Sequence, residues 1–399
     1  MLEQAAGPEV ANRRSAPARP VRIALVVHTF EIGGIERHVA RLASRLDRQK
    51  FQPLVICLDR NGAAAKWIET DDVPIIELHK REGNDPRVIF RLARTLRETG
   101  AQVVHSHNWG TLLETALARR WAGTSAHVHA ERGTVLGDVE PRGLRARLRA
   151  LAMGWALRRA SAVVSNARSV AEKASAHSGY PLERIRVIPN GLDAPAETAP
   201  QDARELRRRL GIPEGALVLG SVGRLAPVKN FASAIEALSR FDGRANPVHL
   251  LLVGDGPERT KLEELAKIRA VAGRVHFAGW HEDVAPLLAA MDIYINCSVS
   301  EGMSQSLVEA MSLGLPIIAT EVGDNSLLVG GDDACGLVVA RRDDAALAAG
   351  LARLAASAEL RRELGRNSLV RFSERYRIDR MMSCYESLYD ELCLSVSRN

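Results

Sequence analysis

The 399-residue sequence predicts an α/β protein with two doubly wound domains, each built on a parallel sheet. Short apolar segments of strand type alternate with amphipathic helical segments along nearly the whole chain. The alternation stops at an Ala-, Pro- and Thr-rich stretch, residues 194–202, and then begins again. Because the chain exceeds one ordinary hydrophobic core, we expect two domains that face each other across a cleft.

The domain boundaries follow from where this pattern begins and ends. Residues 1–20 are rich in Ala, Pro and Arg and lack the apolar core of a signal peptide, so we expect a flexible tail. We assign residues 21–193 to the first domain and 194–370 to the second. Residues 371–399 are expected to be a C-terminal helical segment, helical to about residue 394.

The first domain is predicted from apolar strands that are followed by loops and helices. The first strand ends before the Gly33–Gly34 pair, which lets the backbone approach a ligand closely or simply makes a tight turn. The predicted strands are 21–27, 54–58, 73–78, 103–107, 126–129, 162–165 and 185–188. The predicted helices are 35–46, 88–98, 112–120, 142–160 and a segment that ends near 177.

The second domain repeats the pattern, and its central feature is the stretch from Glu301 to Met311. The predicted strands are 217–223, 248–253, 275–280, 292–296, 317–320 and 336–339. Glu301 is expected in the loop after the 292–296 strand, and Glu309 inside the helix that follows. Ligands bind at the carboxyl ends of strands in such sheets, and a free helix N-terminus suits a phosphate.

Polar and Gly-rich loops follow three strands of the second half and together predict a nucleoside-diphosphate site. Two cations and free helix N–H groups can hold a diphosphate, and a helix carboxylate can bind a ribose diol. Lysine is informative here because only seven of the 54 basic residues are lysines. The candidates are Arg224, Lys229, Gly254, Gly256, Glu301, Glu309 and the helix start Ser304, Gln305 and Ser306.

Composition excludes several other classes. The five cysteines lack C-x-x-C spacing, which argues against a zinc site or a disulfide framework. No apolar run approaches the roughly 18 residues that span a bilayer. The net charge of +6 is spread along an Arg-rich chain without a basic tract that contains aromatic residues, so we expect no nucleic-acid partner.

Residues 142–160 leave two interpretations open. Four large apolar residues recur at helical spacing among six arginines: Leu144, Leu148, Leu151 and Trp155. The stripe could pack on the sheet beneath it, as most such stripes do. Alternatively, the segment could be a basic amphipathic helix that lies on an anionic membrane surface.

With these motifs in place, the chain resembles the retaining glycosyltransferases of family 4, which have the GT-B fold. The resemblance extends from about Val21 to Tyr389 and depends on six elements in order. They are Gly33-Gly34-Ile35-Glu36, His105-Ser106-His107-Asn108, Pro189-Asn190-Gly191-Leu192-Asp193, Gly223-Arg224 with Lys229-Asn230, Val253-Gly254-Asp255-Gly256-Pro257, and Glu301 to Glu309 with the Glu309-to-Pro316 helix end.

The resemblance implies roles for these positions. Arg224 and Lys229 would hold the donor diphosphate, Glu309 the ribose, and Glu301 the transferred sugar. The glycines at 33 and 34 would approach the phosphates from the first domain, and His107, which otherwise is an ordinary loop histidine, would lie beside the sugar. Gly254, Asp255 and residues 304–306 complete the expected donor site. The final helix would pack back on the first domain.

The implied activity is transfer of a hexosyl or N-acetylhexosaminyl group from a UDP- or GDP-sugar, without a metal or other cofactor. The acceptor would be a glycan or a polyprenyl-linked molecule, and the protein would be cytoplasmic, at the inner face of the plasma membrane if residues 142–160 bind there. Many family members have an aromatic residue and Gly where this chain has Met303 and Ser304, a variant that resembles members of exopolysaccharide or cell-surface glycan assembly. Two alternatives remain: another GT-B enzyme such as a sugar-nucleotide epimerase or a phosphorylase, and a non-enzymatic membrane- or polyanion-binding protein.

Overall fold

The computed structural model describes residues 20–83, 85–124, 126–133, 143–195, 200–241 and 247–396. Within them lie two parallel sheets, one in each half of the chain. Residues 1–19 of the predicted tail and Arg142 of the predicted basic helix fall outside the described residues, as do residues 196–199 of the predicted boundary stretch and 397–399 of the predicted C-terminal segment.

The first sheet has seven strands in the order β3-β2-β1-β4-β5-β6-β7, all parallel. Its strands are β1 Val21–Val27, β2 Phe51–Cys57, β3 Ile75–Glu77, β4 Val103–His107, β5 Ala126–Glu131, β6 Ala162–Ser165 and β7 Ile185–Val187. The helices are α1 Gly34–Arg45, α2 Arg87–Thr99, α3 Trp109–Ala122, α4 Leu144–Leu157 and α5 Arg168–Ser178. The order reverses beside β1, so the ends of β1 and β4 flank a crevice where a ligand can bind.

The second sheet has six parallel strands in the order β10-β9-β8-β11-β12-β13. Its strands are β8 Leu217–Val222, β9 Val248–Val253, β10 Val275–Gly279, β11 Ile293–Asn296, β12 Ile317–Thr320 and β13 Gly336–Val339. The helices are α6 Pro200–Arg209, α7 Phe231–Arg240, α8 Arg259–Ile268, α9 Ala285–Ala289, α10 Gln305–Ser312, α11 Asn325–Val329, α12 Asp344–Ala356 and α13 Ala358–Arg375.

Two sequence predictions of elements need correction. The segment 371–394 is not one helix: α13 ends at Arg375, and α14, Ile378–Val396, begins three residues later. The break has a tertiary cause, because Leu192 N–H donates to Tyr376 O and Ile378 N–H donates to Leu192 O, both at 2.8 Å. The other correction concerns β3, which is only three residues long where six were predicted.

The last helix returns to the first domain. Met381, Met382, Tyr385, Leu388 and Tyr389 of α14 are buried together with residues of the first sheet. Tyr376, just before the break, is buried instead among second-domain residues. The chain therefore crosses between the domains at the α13–α14 break.

Candidate nucleotide-sugar site

Two of the predicted catalytic side chains form an ion pair at the carboxyl edge of the second sheet. Lys229 ends a single 3₁₀ turn after β8, and Glu301 lies in the loop after β11, as predicted. Lys229 Nζ donates to Glu301 Oε1 at 2.6 Å, and Ser298 Oγ donates to the same oxygen at 2.7 Å. Because the two side chains are only 23% and 11% exposed, the pair is partly desolvated, and its ammonium is available to a second anion.

The other predicted cation, Arg224, is not paired with a described carboxylate as Lys229 is. Its side chain is exposed, and it makes no hydrogen bond or ion pair with any described residue. The loop that carries it is fixed by its backbone, since Leu225 N–H donates to Asp255 O at 2.9 Å. Arg224 can therefore move to a ligand without breaking an existing bond.

The helix start between the two glutamates provides free backbone donors. Ser304 is the N-cap residue of α10, but its side chain does not cap the helix and instead accepts from Asn296 Nδ2 at 3.1 Å. No acidic residue lies in the first turn. The N–H groups at this end, together with the positive end of the helix dipole, suit an anion such as a diphosphate.

Glu309 lies inside α10, as predicted, and faces the first domain. Its carboxylate has no hydrogen bond or ion pair with another described residue. Burial raises the pKa of the Glu309 carboxyl, and three nearby cations oppose that shift: Arg37, Arg41 and Lys229. An unpaired, mostly desolvated acceptor is suited to bind the hydroxyls of a polar ligand.

The first domain contributes α1 and the glycine turn before it. Gly33 is the N-cap residue and Gly34 begins the helix, so the predicted glycine pair lies at a helix N-terminus. Arg37 and Arg41 follow on one face at i, i+4 spacing. The Arg37 guanidinium lies 4.7 Å from the centre of the Trp67 ring, and Arg41 Nη1 donates to Gly191 O at 3.4 Å.

His107 ends β4 but is buried, at 3% exposure, behind His38. Its Nδ1 donates to Val26 O at 3.1 Å, so a neutral ring has Nε2 as an acceptor, and that atom has no partner. Burial, together with the charge of Arg132, lowers the pKa of His107 to about 3. His107 is thus held neutral, as a hydrogen-bond acceptor and not as a cation.

A cavity of about 390 Å³ lies between the domains, in front of these groups. Of the predicted residues, only Gly34 and Gln305 line it. Lys229, Glu301 and Glu309 are nearby but are not lining residues. Sequence reasoning missed the lining residues Arg37, His38, Arg41 and Arg132. Asn108, Asn190 and Met303 were noted in motifs but were given no place in the site.

Arg132 organises this wall of the cavity. It is 6% exposed and donates to His38 Nε2 and Asn190 Oδ1, both at 2.6 Å, and to the Tyr385 hydroxyl. Asn190 Nδ2 in turn donates to Gln305 Oε1 at 3.4 Å, which joins the junction of the domains to the start of α10. Among the described residues, no group of three or more His, Cys, Asp or Glu side chains could hold a metal ion.

Gly254 and Asp255 are placed away from the cavity. Gly254 has φ +130°, and a Cβ on it would lie 2.0 Å from Gly223 O, so this glycine is required for packing between two loops. The Asp255 carboxylate is exposed and accepts from Gly256 N at 2.7 Å. The structure therefore gives both residues a structural role, and their part in donor binding stays a prediction.

The two glycine motifs are expected to respond differently to substitution. A Cβ on Gly34 meets nothing within 4 Å and enters the cavity, so Gly34→Ala should leave the thermal midpoint unchanged and weaken nucleotide binding. Gly254→Ala should instead destabilise the fold by at least about 1–3 kcal/mol through backbone strain and overlap. Thermal unfolding with and without UDP separates the two, and a loss of stability in Gly34→Ala would contradict the assignment.

Comparison with known proteins agrees with this geometry. Residues 32–194 match the family described as Glycosyltransferase Family 4, and residues 202–370 match Glycosyl transferases group 1. The 2-deoxystreptamine N-acetyl-D-glucosaminyltransferase of Streptomyces fradiae is 31% identical over 349 residues, 79% of this chain and 81% of the relative. The lipopolysaccharide core biosynthesis glycosyltransferase LpsE of Rhizobium meliloti (strain 1021) is 36% identical over 188 residues, 45% of this chain. That alignment spans only about half of the relative, 52%.

Among solved structures, Anabaena Alr3699/HepE in complex with UDP superposes with a TM-score of 0.80. The match covers 93% of this chain and all of that chain at 22% identity, which shows the shared fold. Two Rossmann-like parallel-sheet domains with a cavity between them form the GT-B fold, and both matched families are glycosyltransferases. Within this class, the chain belongs to glycosyltransferase family 4, as both matched families and the Streptomyces fradiae relative show.

Proposed function

We propose that this protein transfers a sugar from a nucleoside-diphosphate sugar to a glycan or polyprenyl-linked acceptor, with retention of the anomeric configuration. The observation that carries the proposal is the Lys229–Glu301 pair beside the uncapped N-terminus of α10. In this arrangement the ammonium and the helix N–H groups stabilise the charge that develops on the leaving diphosphate. Arg224, which has no described partner, closes on the same phosphates.

The remaining residues position the donor. Glu309 binds the ribose diol, and the glycine turn at 33–34 brings the first-domain backbone to the phosphates. Glu301, held by Lys229 and Ser298, contacts the transferred sugar; it is already neutralised by an ion pair and does not act as the nucleophile. Contact of His107 with that sugar stays a prediction and would require His38 to move, since His107 is buried behind it; its unpartnered Nε2 would then accept a hydrogen bond from a sugar hydroxyl.

Retention agrees with this assignment of roles. Glu301 is bonded to Lys229 and Ser298, and Glu309 is assigned to the ribose, so neither is proposed as a nucleophile. A front-face reaction, in which the leaving phosphate helps to deprotonate the acceptor, uses only the groups described above. No metal or other cofactor enters the proposal.

Donor and acceptor classes are supported by the relatives. The Anabaena protein was crystallised with UDP, which favours a UDP-sugar over a GDP-sugar here. The Rhizobium meliloti relative is named for lipopolysaccharide core biosynthesis. The Streptomyces fradiae relative is named as a 2-deoxystreptamine N-acetyl-D-glucosaminyltransferase. A hexosyl or N-acetylhexosaminyl donor is therefore proposed, at the cytoplasmic face of a membrane that presents the acceptor.

Glu309→Ala tests the donor site directly. The variant should bind UDP and UDP-sugars about 5- to 150-fold more weakly, since removing a hydrogen-bond acceptor to a ribose diol costs about 1–3 kcal/mol. Ligand-induced shifts of the thermal midpoint report this loss, because a ligand that binds only the folded state raises its stability. Glu363→Ala, which changes an exposed glutamate on α13, is the matched control and should bind like wild type.

Product analysis then tests the reaction. NMR of the product should show the donor's anomeric configuration, whereas an inverted linkage would rule out retention. A UDP-sugar epimer formed without an acceptor, or phosphate-dependent glycan cleavage, would show one of the alternative GT-B enzymes instead.

A further inference from the structure

Helix α4, Leu144–Leu157, is apolar on two opposite faces. Met153, Gly154, Ala156 and Leu157 are buried against the rest of the first domain. On the other face Leu144, Leu148 and Leu151 are 74%, 57% and 70% exposed, and Trp155 is 37% exposed. The interpretation in which this stripe packs on the sheet is therefore wrong, and the outward face lacks the polar residues that a surface helix normally carries.

Arginines flank this exposed stripe. They are exposed, and no acidic residue lies within α4. With about 3.6 residues per turn, Arg147 and Arg158 lie on one side of the stripe, and Arg145 and Arg159 on the other. Neither Arg145 nor Arg147 makes a side-chain bond to any described residue.

The positions of two of these arginines oppose helix stability. Arg145 and Arg147 lie in the first turn, where the positive end of the helix dipole disfavours cations. Gly143, the N-cap residue, has no side chain that could compensate. An external anionic partner would relieve this unfavourable arrangement.

Helix α4 also adjoins the cleft. It packs on α3, and a cavity of about 330 Å³ between them is lined by Trp109, Leu148 and Arg149. Asn108, the residue before Trp109, lines the cavity between the domains. If α4 lies on a membrane, only α3 separates that membrane from the cavity between the domains, where the proposed acceptor must bind.

We propose that the stripe of α4 docks this protein on a bilayer that contains anionic lipids. The leucines enter the acyl boundary, and the flanking guanidinium groups reach the phosphate layer on both sides. Arg159 stacks on Trp155 at 4.0 Å, so a cation and an aromatic ring lie together at the edge of the stripe. No helix among the described residues is long and apolar enough to cross a membrane, and docking in the plane of the surface does not need one.

A second copy of the chain fits this face less well. Two-fold self-association would place the same arginines of the partner against those of α4, and like charges in an interface are repulsive. An anionic lipid surface complements the charge and the apolar stripe together. The docking would bring a lipid-linked acceptor to the cleft; in this respect it rests on the proposed function, although vesicle binding itself does not.

Vesicle flotation of the full chain tests the inference. Wild type should float with phosphatidylcholine vesicles that contain phosphatidylglycerol, much less with pure phosphatidylcholine, and less at high salt. Arg145→Ala/Arg147→Ala should weaken partitioning roughly 30-fold, at about 1 kcal/mol per arginine. Leu144→Ser/Leu148→Ser/Leu151→Ser should abolish flotation.

Matched variants control for general loss of charge or apolar surface. Arg362→Ala/Arg366→Ala changes two exposed arginines on α13, and Ile268→Ser/Leu327→Ser/Val370→Ser changes three exposed apolar residues of the second domain. Both should float like wild type. All variants should keep the wild-type thermal midpoint and its shift by UDP, because the changed side chains are exposed and distant from the donor site.

Three outcomes would overturn the inference: no flotation of wild type, flotation of the leucine variant at the wild-type level, or a wild-type dimer that the leucine variant converts to a monomer. Measuring nucleotide-sugar binding on the same samples tests the proposed function independently of membrane docking. Flotation without any binding of nucleotide sugars would refute the proposed function and leave the docking surface in place.

Discussion

Replacing Lys229 by alanine is expected to lower kcat by about 10²–10³-fold, the loss typical of removing one donor that stabilises developing charge. The ammonium lies 2.6 Å from Glu301 Oε1, within a partly desolvated site where electrostatic interactions are stronger than in water. Its removal also leaves Glu301 as an unpaired carboxylate beside the position proposed for the diphosphate. Both effects raise the energy of the transition state, so single-turnover rates should fall at saturating donor.

A second variant separates the two effects. If repulsion by Glu301 were the whole cause, Lys229→Ala/Glu301→Gln would be as active as Glu301→Gln alone. We expect the double variant to be slower than Glu301→Gln, because neither change restores a cation. Lys261→Ala, at an exposed lysine of α8, is the matched control and should be fully active. Wild-type turnover in Lys229→Ala would remove this residue from the mechanism.

Most strands could be predicted because strands of a parallel sheet, covered by helices on both faces, form continuous apolar runs. The same apolar runs also predicted that β4 ends at His107, and that Glu301 lies before α10 and Glu309 within it. Strand ends in such a sheet form one edge, so the residues after them could be grouped without any knowledge of distances. The sequence could not show that Lys229 and Glu301 are bonded, because that contact depends on loop conformation.

The arginines of the cavity could not be found from the sequence. In a chain whose basic residues are mostly arginine, Arg37, Arg41 and Arg132 do not differ from the arginines of the surface. Arg132 acquires its role from partners far away in the chain, and the most distant, Tyr385, is 253 residues later. The i, i+4 spacing of the two α1 arginines after the glycine turn is the one local signal that could have indicated a cation-lined site.

The helix break at Tyr376 was missed, and the exposed face of α4 was left as one of two interpretations, for related reasons. The break is imposed by backbone pairing with Leu192, which no local propensity shows. The leucine stripe of α4 has helical spacing whichever face is buried, and only the packed structure shows that the alanine and glycine face lies inside. Periodicity predicts that a face is apolar; it does not predict what covers it.

Acid is expected to unfold the first domain well above the pH at which its carboxylates titrate. Five of its histidines are at most 3% exposed, and the expectation rests on four of them: His38, His105, His107 and His127. Burial is the main cause that lowers the pKa of each, and neighbouring cations add to it. The folded protein keeps them neutral, whereas in the unfolded chain they titrate near pH 6.5.

The direction of this change in stability with pH follows from which state binds the protons. Above about pH 6.5 neither state binds these protons, so the stability is fully present; below it only the unfolded chain binds them, and stability is lost until the depressed folded pKa values are reached. One pH unit below 6.5 costs about 1.4 kcal/mol for each histidine, or up to about 6 kcal/mol for four. That loss is comparable with the whole stability of a typical domain, about 5–15 kcal/mol.

Urea unfolding at several pH values between about 7.5 and 5.5 measures this effect as the slope of the unfolding free energy. His127→Gln should reduce the slope by about a quarter, because one of the four protons is removed. His79→Gln, which changes an exposed histidine of the same domain, should not alter it. A flat profile for wild type would show that the folded protein binds protons at these histidines as readily as the unfolded chain does. His105 Nδ1 and the Tyr389 hydroxyl of α14 share a 2.8 Å hydrogen bond, so acid unfolding of the first domain should also release the last helix.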